Sequence, residues 1–123
     1  YCSDMTRTFF VGQPKPEWQK VYNIVKKAYQ KTRKYISTRS LHRNKVKAKQ
    51  VDKVCRDFMK NQDYGKYFIH NTGHGVGLQP HEKPTLSPKS KQVLKPGMVI
   101  TIEPGVYLSD KFGVRIEDTV ILS

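Results

Sequence analysis

Three of the four histidines, His70, His74 and His81, fall within 12 residues, in the stretch His70-Asn71-Thr72-Gly73-His74-Gly75-Val76-Gly77 and the His81-Glu82 that follows. His70 and His74 have the four-residue gap of helical zinc ligands. Gly73, Gly75 and Gly77 argue against a helix, and no His-Glu-x-x-His pattern is present. The glycines instead suggest a backbone that passes close to something. Two carboxylates lie further on, among residues patterned for burial. Val99, Thr101 and Glu103 share one face of an extended segment, opposite Met98, Ile100 and Ile102; Arg115, Glu117 and Thr119 share a face opposite Val114, Ile116 and Val120. A buried carboxylate is costly unless it is paired or bound to a cation. A salt bridge of Glu117 with Arg115 meets that demand, and so does a metal. Asp4, in Ser3-Asp4-Met5-Thr6-Arg7-Thr8, is a weaker candidate, because aspartate is disfavoured in strands. Together Asp4, Glu103, Glu117 and one histidine form an oxygen-rich set with one nitrogen. Such a set suits Mn²⁺, Zn²⁺, Fe²⁺ or Co²⁺ rather than Cu(I) or an iron–sulfur cluster, and its several carboxylates can bridge two cations.

The elements that must position these residues follow from periodicity. Tyr1 to Gly12 ends in Phe9-Phe10-Val11 and a glycine, and reads as a strand with Cys2, Asp4, Thr6 and Thr8 on one face. Gln13 to Pro16 is a turn, and Pro16 with Glu17 suits a helix start. Trp18, Val21, Tyr22, Val25, Ala28, Tyr29 and Ile36 recur at helical steps over about 20 residues. A basic loop follows from Ser37 to Lys45, then a second helix over Ala48 to Asn61 with Val51, Val54, Cys55, Phe58 and Met59 inward. Tyr67 to His70 reads as strand-like, Asn71 to Gly77 as loop or strand edge, and Pro80 to Gly97 as a long connection. Met98 to Glu103 is a strand closed by Pro104-Gly105. Val106 to Leu108 continues extended, Asp110 to Gly113 turns, and Val114 to Leu122 is the last strand. Helices followed by strands predict an α+β fold, with two helices on a mainly antiparallel sheet.

Composition bounds the function. The chain has 123 residues, enough for one domain with one modest core. No apolar run approaches the ~20 residues of a membrane span, so no membrane is expected. Tyr1 to Gly12 lacks the basic start and apolar stretch of a signal peptide. Cys2 and Cys55 allow at most one bridge and are read as reduced thiols, which predicts a cytoplasmic protein. The 23 Lys+Arg against 10 Asp+Glu give a net charge of +13. The basic residues concentrate between Lys26 and Lys60, densest over Lys31, Arg33, Lys34, Arg39, Arg43, Lys45, Lys47 and Lys49. No aromatic ladder or zinc-finger spacing accompanies them, so a solvated surface is expected rather than a nucleic-acid site. Phe68 and Tyr107 read as core aromatics, with a place in a substrate pocket as the other possibility.

The motifs Ser-Asp-Met-Thr-Arg-Thr, His-Asn-Thr-Gly-His-Gly-Val-Gly-Leu, Thr-Ile-Glu-Pro-Gly and Gly-Val-Arg-Ile-Glu-Asp occur in that order from Ser3 to Asp118. In this order they resemble the pita-bread metallopeptidases: aminopeptidase P, prolidase and methionine aminopeptidase. The Arg-Ile-Glu-Asp ending is similar to the Xaa-Pro branch more than to the methionine branch. The resemblance implies a pita-bread half-domain, the second half of a catalytic domain. It implies that Asp4, His74, Glu103 and Glu117 bind two divalent metal ions, with manganese placed first and zinc, cobalt or iron as others. Glu103 also becomes a candidate proton shuttle. His81 is implied to contact the substrate and steady the tetrahedral intermediate, with His70 and Arg115 as supporting catalytic positions. The implied reaction is attack by a metal-bridging hydroxide on the first peptide carbonyl of a substrate with proline second.

The family has a fifth ligand, an aspartate on a strand that would lie before Tyr1, and a first half-domain; neither is in this sequence. This chain alone is therefore expected to be poorly active and to expose a sheet edge. The oligomeric state is left open, with pairing to the missing half or to a second copy as the two options. The other reading is a non-catalytic relative that binds protein or RNA. Against it, such a module has little physical reason to keep carboxylates at Asp4, Glu103 and Glu117.

Overall fold

The computed structural model describes residues 1–39, 41 and 45–123. Helix α1 spans Pro16–Ser37 and helix α2 spans Ala48–Asn61. Six short strands follow: β1 Gly73–Gly75, β2 Glu82–Leu86, β3 Val99–Ile102, β4 Gly105–Leu108, β5 Phe112–Arg115 and β6 Asp118–Ile121. All pairings are antiparallel. One sheet has the order β2-β1-β3-β6, and β4 and β5 form a separate ribbon. The α+β reading with two helices and an antiparallel sheet therefore holds.

The helices form where the apolar spacing requires. Pro16 starts α1, and Val21, Ile24, Val25, Ala28, Tyr29, Thr32 and Ile36 form its buried stripe. In α2 the buried positions are Ala48, Val51, Asp52, Cys55 and Met59, while Val54 and Phe58 are half-buried. Gln50 closes the start of α2 by accepting the Lys47 N–H at 2.8 Å. The two helices pack on each other and on the sheet around Leu86, Leu94, Ile100, Ile102, Val106 and Val114. The basic side chains from Lys26 to Lys60 that are described, including Lys31, Arg33, Lys34, Arg39, Lys45, Lys47 and Lys49, lie exposed, except Arg56, which is half-buried. Arg43, and with it part of the basic loop over Ser37 to Lys45, lies outside the described residues.

Four expectations are corrected. The first segment is extended and alternates as expected, with Asp4, Thr6, Thr8 and Phe10 half-buried between exposed neighbours. It forms no strand, only a bridge of Thr6 to Glu117. Side chains take the place of ladder bonds: Thr8 Oγ1 donates to the Arg115 carbonyl at 2.8 Å and Thr119 Oγ1 to the Asp4 carbonyl at 2.6 Å. Tyr67 to His70 is no strand either. A 3-10 turn spans Gly65–Tyr67, and the Phe68 and His70 carbonyls accept the Arg56 guanidinium instead of a neighbouring strand.

The connection from Pro80 to Gly97 contains β2. A proline such as Pro84 is tolerated in a sheet only at an edge or a bulge. It is accommodated because β2 is an edge strand and Lys83-Pro84 falls in the bulge opposite His74 and Gly75. Finally, Val114 to Leu122 is two strands. β5 pairs with β4 and β6 with β3, so the chain changes sheets at Ile116-Glu117. That change puts Glu117 at the junction, where it bridges to Thr6 rather than extending a ladder.

Candidate metal centre

Four elements deliver the polar side chains to one place. Asp4 comes from the first extended segment, His74 from the middle of β1, Glu103 from the end of β3, and Glu117 from the junction of β5 and β6. One ligand atom each of Asp4, His74 and Glu117 lie within 4.8 Å of one another. Glu103 joins through His74: its Oε1 lies 3.2 Å from His74 Nε2, and Asp4 Oδ2 lies 3.6 Å from the same nitrogen. All four residues proposed as ligands are thus brought together, although Asp4 and Glu117 are separated by most of the chain.

Local hydrogen bonds fix each group. His74 Nδ1 donates to the carbonyl of Gly75 at 2.9 Å, since a carbonyl can only accept. In the neutral imidazole Nε2 is then the lone-pair nitrogen, and it faces the carboxylate oxygens of Glu103 and Asp4. The backbone N–H of His74 donates to Thr101 Oγ1 at 3.0 Å, and Thr101 Oγ1 donates to Glu103 Oε1 at 3.1 Å. Thr101 therefore ties two candidate ligands together. Thr6 does the same service for Glu117, donating its hydroxyl to Oε2 at 2.5 Å while accepting Arg115 Nε at 3.0 Å.

Glu117 is 3 % exposed. Burial pushes its carboxyl pKa up, the Thr6 hydroxyl pulls it back, and the negative charges of Glu103 and Asp4 push it up again. The salt bridge considered for Glu117 with Arg115 is a long one, 3.8 Å from Nε to Oε2, with the Thr6 hydroxyl bonded to both. One guanidinium therefore faces three carboxylates and a lone-pair nitrogen. This donor set lacks positive charge, and a divalent cation bound by hard oxygens and one imidazole fits it.

Around this cluster stand the other proposed residues. His81 is exposed, and its ring centroid lies 4.1 Å from that of His74. His70 is half-buried. Its Nδ1 donates to the Asn71 carbonyl at 2.8 Å, so Nε2 accepts from the Tyr107 hydroxyl at 2.8 Å. The Tyr107 oxygen in turn accepts Arg115 Nη1 at 3.2 Å. His70 and Arg115 therefore meet at Tyr107, whose aromatic ring in a strand suggests core rather than site; Phe68, by contrast, is core, at 2 % exposed. Thr6, Thr101 and Tyr107 are the polar members that spacing did not single out as functional. Period-two alternation places Thr101 on the face of Glu103 and Thr6 on that of Asp4, but a threonine on such a face signals no ligand.

The sequence profile of metallopeptidase family M24 matches residues 1–123. Over 125 residues the chain is 45 % identical to an Xaa-Pro dipeptidase of Pyrococcus furiosus, covering all of this chain and 34 % of that protein. The structure of prolidase from Pyrococcus furiosus superposes with a TM-score of 0.89 at 45 % identity, over 98 % of this chain and 34 % of that one. An X-prolyl aminopeptidase from Caenorhabditis elegans, described as a cytosolic enzyme with a di-nuclear active site, gives a TM-score of 0.79 at 30 % identity, over 97 % of this chain and 19 % of that one. The chain therefore spans about a third of the length of the Pyrococcus proteins it matches.

Proposed function

The chain belongs to metallopeptidase family M24, and from that premise we propose that its site serves hydrolysis of the amino-terminal peptide bond of peptides with proline second, using two divalent cations, manganese first among them. The observation that carries this reading is the convergence of Asp4, His74 and Glu117, ligand atoms within 4.8 Å, from three separate elements. The names of the Pyrococcus and Caenorhabditis proteins support the proline preference and the dinuclear site. The two free thiols, Cys2 and Cys55, agree with a cytoplasmic setting, which we propose with it.

Asp4, His74, Glu103 and Glu117 would hold the cations. When bound, these would lower the pKa of water and polarise the substrate carbonyl. The rest falls to this chain. His74 keeps Nε2 free for ligation because Gly75 fixes its tautomer. Thr6 and Thr101 lock the carboxylates of Glu117 and Glu103, so the site is held before substrate arrives. Glu103 takes the proton released in the attack and passes it to the leaving amine. His81, exposed beside His74, contacts the substrate as the bond breaks. His70 and Arg115, joined at the Tyr107 hydroxyl, support the site from beside the ligands.

The test is hydrolysis of a dipeptide and a tripeptide with proline second, beside the same peptides with alanine second. Each is assayed with added Mn²⁺ and with chelator. Native mass spectrometry of the same samples counts the ions. With the chain joined to a first half-domain that supplies the preceding aspartate, metal-dependent cleavage of the proline substrates, with two ions per chain that are lost in Glu117→Ala, is the expected result; this chain alone is expected to cleave them poorly. Absence of specific ions together with absence of cleavage overturns the reading.

A further inference from the structure

Two arms of this site share an anchor outside it. Asp52 lies on α2, with its side chain 1 % exposed. A buried carboxylate is tolerated when its lone pairs are filled, and here they are. Oδ2 accepts Arg56 Nε at 2.8 Å and Oδ1 accepts Arg56 Nη2 at 2.8 Å, the two-pronged guanidinium fork. Oδ1 also accepts the Thr72 hydroxyl at 2.8 Å and the Thr72 N–H at 3.2 Å. Arg56 directs its other bonds to the carbonyls of Phe68, at 3.2 Å, and His70, at 2.9 Å. Its guanidinium lies 4.6 Å from the centroid of the Phe68 ring, which meets the His70 ring edge-on at 5.1 Å.

Both members of the pair therefore grip residues 68–72. That stretch carries His70. Its last residue, Thr72, accepts the backbone N–H of Glu103 at 2.8 Å. One ion pair on a helix thus sets the backbone at His70 on one side and at Glu103 on the other. An ordinary helical pair does no such thing. Lys53 and Asp57, on the same helix at the same spacing, meet at 2.6 Å with side chains 72 % and 53 % exposed, and neither makes a further hydrogen bond among the described residues.

We propose that Asp52 and Arg56 are positioning residues of the hydrolytic site, holding residues 68–72 so that His70 meets Tyr107 and Glu103 faces His74. What the positioning serves rests on the peptidase reading above; the clamp itself does not.

Two variants separate geometry from stability. Asp52→Asn keeps the size and an acceptor for Thr72 but offers Arg56 an amide in place of the second oxygen. Arg56→Lys keeps the charge and loses the fork. A third, Val25→Ala, truncates a fully buried side chain on α1 away from the clamp. In the Mn²⁺-loaded protein, kcat for a proline-second peptide falls about tenfold to a hundredfold in both clamp variants, with KM changed less than about threefold. Val25→Ala keeps the wild-type kcat although its Tm falls. The ¹⁵N shifts of the His70 ring, read without metal, move in both clamp variants, because the ring no longer meets Tyr107 in register, and stay put in Val25→Ala.

Wild-type His70 shifts with wild-type kcat in the clamp variants overturn the inference. Equal losses of kcat in Val25→Ala and the clamp variants also overturn it. A wild type joined to its first half-domain that still cleaves no peptide sinks the peptidase reading instead, and the His70 shifts still decide the clamp. Should Asp52→Asn fail to fold, Arg56→Lys decides alone.

Discussion

Thr6 and Glu117 stand 111 residues apart in sequence and meet through a hydroxyl-to-carboxylate hydrogen bond of 2.5 Å. Their backbones bond as well, Thr6 N–H to the Glu117 carbonyl at 3.3 Å and Glu117 N–H to the Thr6 carbonyl at 3.1 Å. Glu117 is therefore held at both its backbone and its side chain. The Thr6 hydroxyl is the one direct donor to that carboxylate among the described residues, Arg115 lying further away.

A pH prediction follows for the metal-free protein. Burial, opposed by Thr6 and reinforced by Glu103 and Asp4, leaves the Glu117 pKa raised. The folded state then binds this proton more tightly than the unfolded chain. The stability from this group is present at acid pH and is lost as pH rises through the raised pKa. In chelator, Glu117→Gln should therefore melt above wild type at pH 7, and the gap should close as pH falls below the ordinary carboxylate range. Thr6→Val should lose more stability at pH 7 than at pH 4. Melting curves across that range decide; a gap independent of pH would remove the electrostatic explanation.

Metal should stabilise the fold, because the cluster lacks positive charge and the unfolded chain cannot gather it. At about a hundred times Kd, Mn²⁺ is expected to add about 2.7 kcal/mol. His74→Ala and Glu117→Ala should abolish most of the thermal shift, and chelator should reverse it in wild type. A shift of equal size in both variants would place the ion elsewhere.

Gly75 should be irreplaceable. A Cβ there would run into the Lys83 carbonyl of the bulged edge strand β2, a backbone atom with no rotamer to yield. Gly75→Ala should cost about 1–3 kcal/mol or more by forcing β1 from β2, and it should weaken metal binding because His74 precedes it. Urea unfolding with an unchanged midpoint would show that β2 gives way freely.

The two cysteines should differ sharply towards thiol reagents. Cys2 is exposed, whereas Cys55 is buried on the inner face of α2, and its thiol is pushed up to about 11 by that burial, with Thr32 and Thr72 opposing. One thiol per native chain should react promptly at pH 8, and a second only after denaturation. Prompt reaction of both would mean that α2 opens readily from the sheet.

Much of this architecture is legible in the residues. The helices follow from apolar spacing, and the α2 limits agree with the structure to the residue. The period-two alternation of the first segment survives in its burial even without a strand. The elements that were misread are those whose partners lie far away. Pro84 obscured β2, and nothing local to Val114–Leu122 announces that β5 and β6 join different sheets. Asp52 shows the same limit: on a helix rich in charge it reads as surface, yet it lies inside because Arg56 and Thr72 supply its partners.

By itself, then, the sequence determined which residues could bind a cation, which family they resemble, and which segments would be helical, since these depend on side-chain chemistry and near neighbours. Tertiary structure decided that Asp4, His74, Glu103 and Glu117 stand together, that threonine hydroxyls rather than a tight Arg115 salt bridge hold Glu103 and Glu117, and that Tyr107 belongs to the site. Apart from the Thr101–Glu103 bond, which spans two residues, such contacts join residues tens of positions apart. They exist only once the core has brought the two helices and the strands together, so no local pattern could have announced them.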